Sequence, residues 1–236
     1  MVEDLSKSPD SSLMLGEIPI SKDIAHEYNA SWWIPALLAS HVNLQTIRDD
    51  STILFLGPGE TCIETLSMRS VLDIAHKKSA IVAVDQREPL PLGRQILSAA
   101  SAKLKIADYG TERHAILKST HGFPPVVICR NPPIYVEELH FEHPYFYPDV
   151  FNAVVTWAKI AHAHGSQFLL TTDHANTPVD FTQALREAGI QYTAAENRRF
   201  LEPPIESMRK VVEVNYVIQQ HVARGMWPDR FTITIK

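Results

Sequence analysis

The sequence predicts an α/β protein, doubly wound around a mostly parallel sheet, with an antiparallel pair at one edge and a helical cap at the N-terminus. Three observations predict it. Short, wholly apolar runs recur and end in Gly or Asp. Stretches of helical period alternate with those runs, the signature of a parallel sheet with helices on both faces. After Ile190 the helices stop and strand-like segments follow one another.

Residues 1–20 read as a flexible tail, rich in Ser, Asp and Pro and without periodicity. Residues 21–50 form the cap. Trp32, Ile34, Leu37, Leu38, His41 and Leu44 recur at helical spacings between Ser21 and Ile47. Residues 51–236 form the main domain. Thr52 to Leu56 is a continuous apolar run, as in a strand buried on both faces. It ends in Gly57-Pro58-Gly59-Glu60-Thr61, and a helical stretch runs on to about His76.

Ala80 to Val84 is the second strand and ends at Asp85, before a helix from about Leu92 to Ala102. Leu104 to Ala107 is the third and ends at Asp108; Val126 to Cys129 is the fourth and ends at Arg130-Asn131-Pro132-Pro133. Gln167 to Thr171 is the fifth, between helices over Val150 to His164 and Phe181 to Ala188. Gln191 to Arg198 and Val211 to Gln219 read as the antiparallel edge pair. Phe231 to Ile235 reads as a further strand or as a contact in a homo-oligomer.

Composition narrows the function. A hydrophobic fraction of 45% and a charged fraction of 21% exclude wholesale disorder. The net charge of -5 provides no overall field for duplex nucleic acid. No apolar stretch near the N-terminus approaches the ~20 residues of a membrane span, and MVEDLSKSPDSS is unlike a signal peptide. Two cysteines, Cys62 and Cys129, make no disulfide framework. A cytoplasmic protein with no membrane partner is expected.

The chemistry gathers at the strand ends, where doubly wound sheets bind ligands. Gly57 and Gly59 allow a tight turn and a close backbone approach. Asp85 can accept two ribose hydroxyls, and Asp108 can face an adenine amino group. A dinucleotide fingerprint would need a glycine where Cys62 stands, and a Walker loop would need a Gly-Lys-Ser/Thr that is absent. Glu60 disfavours a pyrophosphate and suits a cationic ligand.

ILFLGPGET, IVAVD, KIADY and VVICRNPP together resemble the class I S-adenosylmethionine-dependent methyltransferases. The resemblance covers about residues 50–220. It implies a Rossmann-like, seven-stranded sheet with a reversed last strand, and S-adenosylmethionine as cofactor. Gly57 and Gly59 would then lie under its methionine part, Asp85 at the ribose, and Asp108 with Tyr109 at the adenine, with Glu60 at the cofactor in place of some polar contact the family makes nearby. Phe55 and Thr61 stand where the family often carries an acidic residue and a third glycine.

Asn131-Pro132-Pro133-Ile134 resembles the Asn-Pro-Pro-aromatic motif of methyltransferases that modify amino nitrogens. An amide-type nitrogen is a poor nucleophile because its lone pair is delocalised. The side-chain oxygen of Asn131 and the carbonyl of Pro132 can accept its two hydrogens and aim the lone pair, while the prolines stiffen the loop. Ile134 replaces the aromatic, with Tyr135 beside it as a candidate. Tyr135 to Pro148 is rich in aromatic residues and reads as a lid or as a packing segment.

His140, Glu142 and His143 invite a metal, with His162, His164, Asp173 and His174 as further candidates. Neither an HExxH pattern nor a cysteine partner supports one, so no metal is expected. Arg198-Arg199 and Arg209-Lys210 are the only basic concentration. The sequence thus points to methyl transfer onto an acceptor it does not identify, held beneath the Trp32/Trp33 helix and the aromatic loop. Two other readings stay open: a non-catalytic methyltransferase-like binding or assembly subunit, and an aminopropyl transferase.

Overall fold

The computed structural model describes residues 13–120, 122–136, 144–197 and 229–235. Two short strands open the described chain, β1 (Leu13–Leu15) and β2 (Ile18–Ile20), paired antiparallel across a turn where Gly16 has φ +61°. The end of the expected tail is therefore a hairpin. Leu15, Ile18 and the buried Ile20 tie it to the core, which no period in so short a stretch announces.

The cap is two helices rather than one. α1 (Lys22–Ala30) starts at Ser21, whose hydroxyl accepts from the Ile24 N–H, and α2 (Trp33–His41) follows. Pro35 explains the break. It has no N–H and its ring would strike the carbonyl four residues back, so it lies in the first turn of a new helix. A 3-10 turn at Leu44–Thr46 leads into the sheet.

The main domain alternates strands and helices as expected. β3 (Thr52–Leu56), α3 (Ile63–Ile74), β4 (Ala80–Asp85), α4 (Pro91–Ala99) and β5 (Ala102–Ile106) form the first half. α4 ends short of the expected Ala102, and β5 begins there. A six-residue helix, α5 (Arg113–Lys118), has too few turns to show a period and was not expected. β6 (Val126–Arg130) follows, then a two-residue ladder of β7 (Tyr135–Val136) and β8 (Tyr145–Phe146). α6 (Pro148–Ala163), β9 (Gln167–Thr172), α7 (Asn176–Glu187), β10 (Tyr192–Glu196) and β11 (Phe231–Ile235) complete it.

The main sheet has seven strands in the order β10-β11-β9-β6-β3-β4-β5. β3, β4, β5, β6 and β9 run parallel, and β11 is antiparallel to both its neighbours. The antiparallel pair is thus β10 with β11. Val211 to Gln219, read from sequence as one of its strands, lies outside the described residues. Phe231 to Ile235 is a sheet strand set inside β10.

Strand alternation builds two cores. Ile53, Phe55, Val126 and Ile128 face α1 to α4, where Trp33, Ile34, Leu66 and Leu72 are buried. Leu54, Leu56, Val127 and Cys129 face the other way, onto Trp157, Phe181 and Leu185. All five β3 residues are buried, which is why the run reads as continuous rather than alternating. Truncating one of them, such as Leu54, to Ala costs about 2–5 kcal/mol by the cavity it leaves. Among the described residues no helix is long and apolar enough to cross a membrane.

Candidate active site

The chain leaves β3 toward β4 and β5, then returns to place β6 on the other side of β3. The loops after β3 and β6 therefore part, and a crevice opens at the carboxyl edge. A cavity of about 460 Å³ is lined there by Gly57, Gly59, Glu60, Asp85, Tyr109 and Asn131, with Pro133 beside them. A second recess of about 340 Å³, with Asp108 and Thr111 in its wall, shares Gln86, Tyr109 and Val150 with the first.

The loop after β3 needs its glycines. Gly57 and Gly59 have φ +62° and +73°, a region L-residues rarely adopt. The Gly57 N–H donates to Val84 O at 2.8 Å, tying the loop to β4. A Cβ on Gly57 would meet the Tyr109 ring at 3.6 Å. From behind, α4 presses on the loop. Leu90 N–H donates to Glu60 O at 3.1 Å, and a Cβ on Gly93 would lie 2.4 Å from that same oxygen. Gly93 was not singled out in the sequence, because its partner is a backbone atom 33 positions away in a loop.

The acids are arranged to accept. Asp85 accepts the Arg87 N–H at 3.1 Å, which leaves its carboxylate with lone pairs to spare. Asp108 accepts the Gly110 N–H at 2.7 Å. Burial opposes its ionisation, but hydrogen bonds from Gly110, Thr111 and Gln86 outweigh that and hold its carboxyl below the usual range. Tyr109 is kept protonated, chiefly by burial, and its carbonyl accepts from the Trp157 indole at 2.7 Å. In the main cavity Glu60, Asp85 and Glu88 face one cation of the lining, Arg87. That balance favours a cationic ligand.

The turn after β6 is strained and pinned. Asn131 has φ +44°, and left-handed backbone costs a non-glycine residue about 1–2 kcal/mol. Its N–H donates to Thr171 O at 2.9 Å. Its Oδ1 is shielded from solvent and has no hydrogen-bond partner among the described residues. Pro132 is buried, and its carbonyl already accepts the Ile134 N–H at 2.7 Å. Pro133, not Pro132, lines the cavity.

Several expected residues stand elsewhere. Ile134 is fully buried in the core beneath the turn, so it does not occupy a stacking position. Tyr135 does not line either recess. Its hydroxyl bonds Asp180 and its ring stacks on His174, centroids 4.8 Å apart. Burial first, then Asp180, pushes its phenol up to about 12. Trp33 is buried in the core, and neither tryptophan of the cap lines the cavity. The lid segment is described only at its ends. His140, Glu142 and His143 lie outside the described residues, as do Arg198, Arg199, Arg209 and Lys210. Among the described residues no cluster of three His, Cys, Asp or Glu could hold a metal.

A charged group unnoticed in the sequence lies behind the turn. Arg130 meets Asp229 through Nε at 2.9 Å and 3.0 Å and through Nη2 at 2.9 Å, and meets Glu64 only at 3.7 Å. Both carboxylates are shut away from solvent. Burial opposes the charge on Arg130, but Asp229 and Glu64 outweigh it and keep the guanidinium ionised. One cation cannot serve two buried anions equally. Asp229 takes the close contacts. Glu64 is therefore pushed up to about 7, by burial first, with Arg130 pulling the other way.

No protein-family model matches the chain, and no curated protein sequence matches it. Solved structures do. A cyclopropane-fatty-acyl-phospholipid synthase-like protein from Lactobacillus casei aligns at 12% identity over 92% of this chain and 93% of that one, with a TM-score of 0.51. A human methyltransferase 10 domain containing protein aligns at 12% identity over 98% and 87%, with a TM-score of 0.49. Fibrillarin from Aeropyrum pernix, solved with S-adenosyl-L-methionine, aligns at 15% identity over 89% and 76%, with a TM-score of 0.48. What the chain shares with the first of these, together with its own strand order, is the fold: a Rossmann-like, seven-stranded α/β sheet with one reversed strand.

Proposed function

We propose that the chain is an S-adenosylmethionine-dependent methyltransferase acting on an amino nitrogen. One observation carries this reading. A single cavity is lined by the glycine loop, Asp85 and Asn131, whose Oδ1 has no hydrogen-bond partner among the described residues. The residues fit the cofactor. Three carboxylates against one cation suit a ligand bearing a sulfonium and an ammonium. Gly57 and Gly59 would hold its methionine part, Asp85 its ribose, and Asp108 with Tyr109 its adenine.

Bound there, the cofactor supplies an electrophilic methyl on a charged sulfur. The chain supplies alignment and dryness. Asn131 Oδ1 accepts one hydrogen of the incoming amino group. The acceptor is a small molecule, a base or a protein side chain with an accessible amino group; neither a membrane nor duplex nucleic acid is needed. Both cysteines are free and buried, which supports a reducing, cytoplasmic setting.

The experiment is a labelled-methyl screen over nucleosides, RNA, peptides and metabolites, with S-adenosylhomocysteine calorimetry alongside. Asn131→Ala should lose on the order of 100-fold in transfer and keep its cofactor affinity nearly intact. Equal rates for parent and variant would discard the amino-positioning role. A second reading, a binding subunit without turnover, is favoured by the burial of Ile134 where a stacking ring was expected. Cofactor binding with no transfer to anything in the screen would select it.

A further inference from the structure

We propose that Asp229 is the positioning residue for the Asn131 turn, acting through the two residues on either side of that turn's anchor. The inference rests on the reading that Asn131 meets the acceptor. Its structural half stands independently.

β6 and β9 are paired in parallel, with Arg130 opposite Thr171. These two residues fix Asn131. Arg130 precedes it in the chain, and Thr171 O receives its N–H at 2.9 Å. Both side chains end on one carboxylate. Thr171 Oγ1 donates to Asp229 Oδ1 at 2.5 Å, and Arg130 Nε reaches both oxygens. Asp229 Oδ2 also accepts the Trp33 indole N–H at 2.9 Å, from the cap. The Asp229 carbonyl in turn accepts from Asn197 Nδ2 at 2.7 Å, at the end of β10. Asp229 is fully buried, so these bonds are not shared with water.

Asn131 keeps a left-handed backbone only while its surroundings over-determine it. The Asp229 carboxylate is where those constraints meet. It touches neither recess of the site, so it is no catalytic residue. Without its charge, Arg130 is left with Glu64 on α3, at 3.7 Å, and the charge of Asp173 beyond β9, and neither replaces the close contacts of Asp229. The guanidinium would lose its close anchor, and the start of the turn would loosen with it.

The test uses the full chain and Asp229→Asn, which keeps the shape and removes the charge. Hydrogen exchange is followed on the peptide spanning 130–134, with S-adenosylhomocysteine affinity, kcat and KM alongside. Exchange at Asn131 should quicken by about tenfold or more, the response of a local opening made easier. kcat should fall by on the order of 100-fold, with KM and cofactor affinity little changed. Where Asp229→Asn does not fold, Trp33→Phe, which removes one bond to the carboxylate, should give the same changes in smaller measure. Unchanged exchange across 130–134 overturns the proposal, and so does a loss of cofactor affinity equal to the loss of rate. Faster exchange in a chain whose parent transfers no methyl keeps the proposal and discards the function.

Discussion

At the ends of β4 and β5, Asp85 and Asp108 are half-buried and bonded to backbone N–H groups of their own loops. At the ends of β6 and β9, Glu64 and Asp229 are sealed from water around one guanidinium. The same residue type serves opposite ends. A carboxylate with spare lone pairs in an open recess can accept from a ligand. A carboxylate such as Asp229, bonded through both oxygens in a dry interior, can only hold shape. The glycine-loop half of the edge is therefore soft and replaceable in its energetics, and the Asn131 half is stiff and costly to disturb.

Arg130→Met should break the stiff half outright. It leaves Asp229 charged, buried and without its cation, which costs about 3–5 kcal/mol of stability. Urea denaturation measures it directly, and a loss under about 1 kcal/mol would mean that the two halves do not differ as described.

Glu64 sharpens the contrast through pH. Its carboxyl stands at about 7 against an ordinary 4.5. Between those values the folded chain holds a proton that the unfolded chain has released. Stability from this group is full below the lower value, falls as pH rises toward the upper one, and is level beyond. The fall is on the order of 3 kcal/mol. Glu64→Gln cannot ionise, so the difference in urea midpoint between variant and parent should grow from pH 5 to pH 8. A constant difference would place Glu64 in contact with water.

Asp85→Ala should give the smallest effect on the fold and a selective one on the ligand. S-adenosylhomocysteine affinity should drop by roughly 1–3 kcal/mol, the cost of lost charged acceptors. Stability should stay within about 0.5 kcal/mol. Calorimetry paired with thermal unfolding separates the two, and an equal loss in both would erase the distinction between the halves.

The soft half was legible in the sequence, and the stiff half was not. β3 is apolar throughout and ends in Gly57-Pro58-Gly59, so the strand and its ligand loop announce themselves locally. Asp85 is the last residue of its strand. Asp229 has no local signature. Its partners Trp33, Arg130 and Thr171 lie 196, 99 and 58 positions away. Glu64 sits on a helix whose period says nothing of the cation across from it. The motif reading of Asn131 located the turn, but whether Ile134 faced the cavity or the core depended on the turn's path, which φ +44° at Asn131 redirects.

The place of β11 sets a schedule for the nascent chain. β11 pairs along its whole length with β9 on one side and β10 on the other. Until it is made, neither that edge of β9, with Phe168, Leu169 and Leu170, nor β10 has its partner among the described strands. Arg230 follows Glu196 by 34 positions, which takes a ribosome roughly 2–7 s to add. Through that interval an apolar edge stands open to any extended segment nearby. Asp229 and Arg230 arrive immediately before the strand that closes it. The bonds from Arg130 and Thr171 to Asp229 thus form only after the loop of Gly57 and Gly59 has long been made.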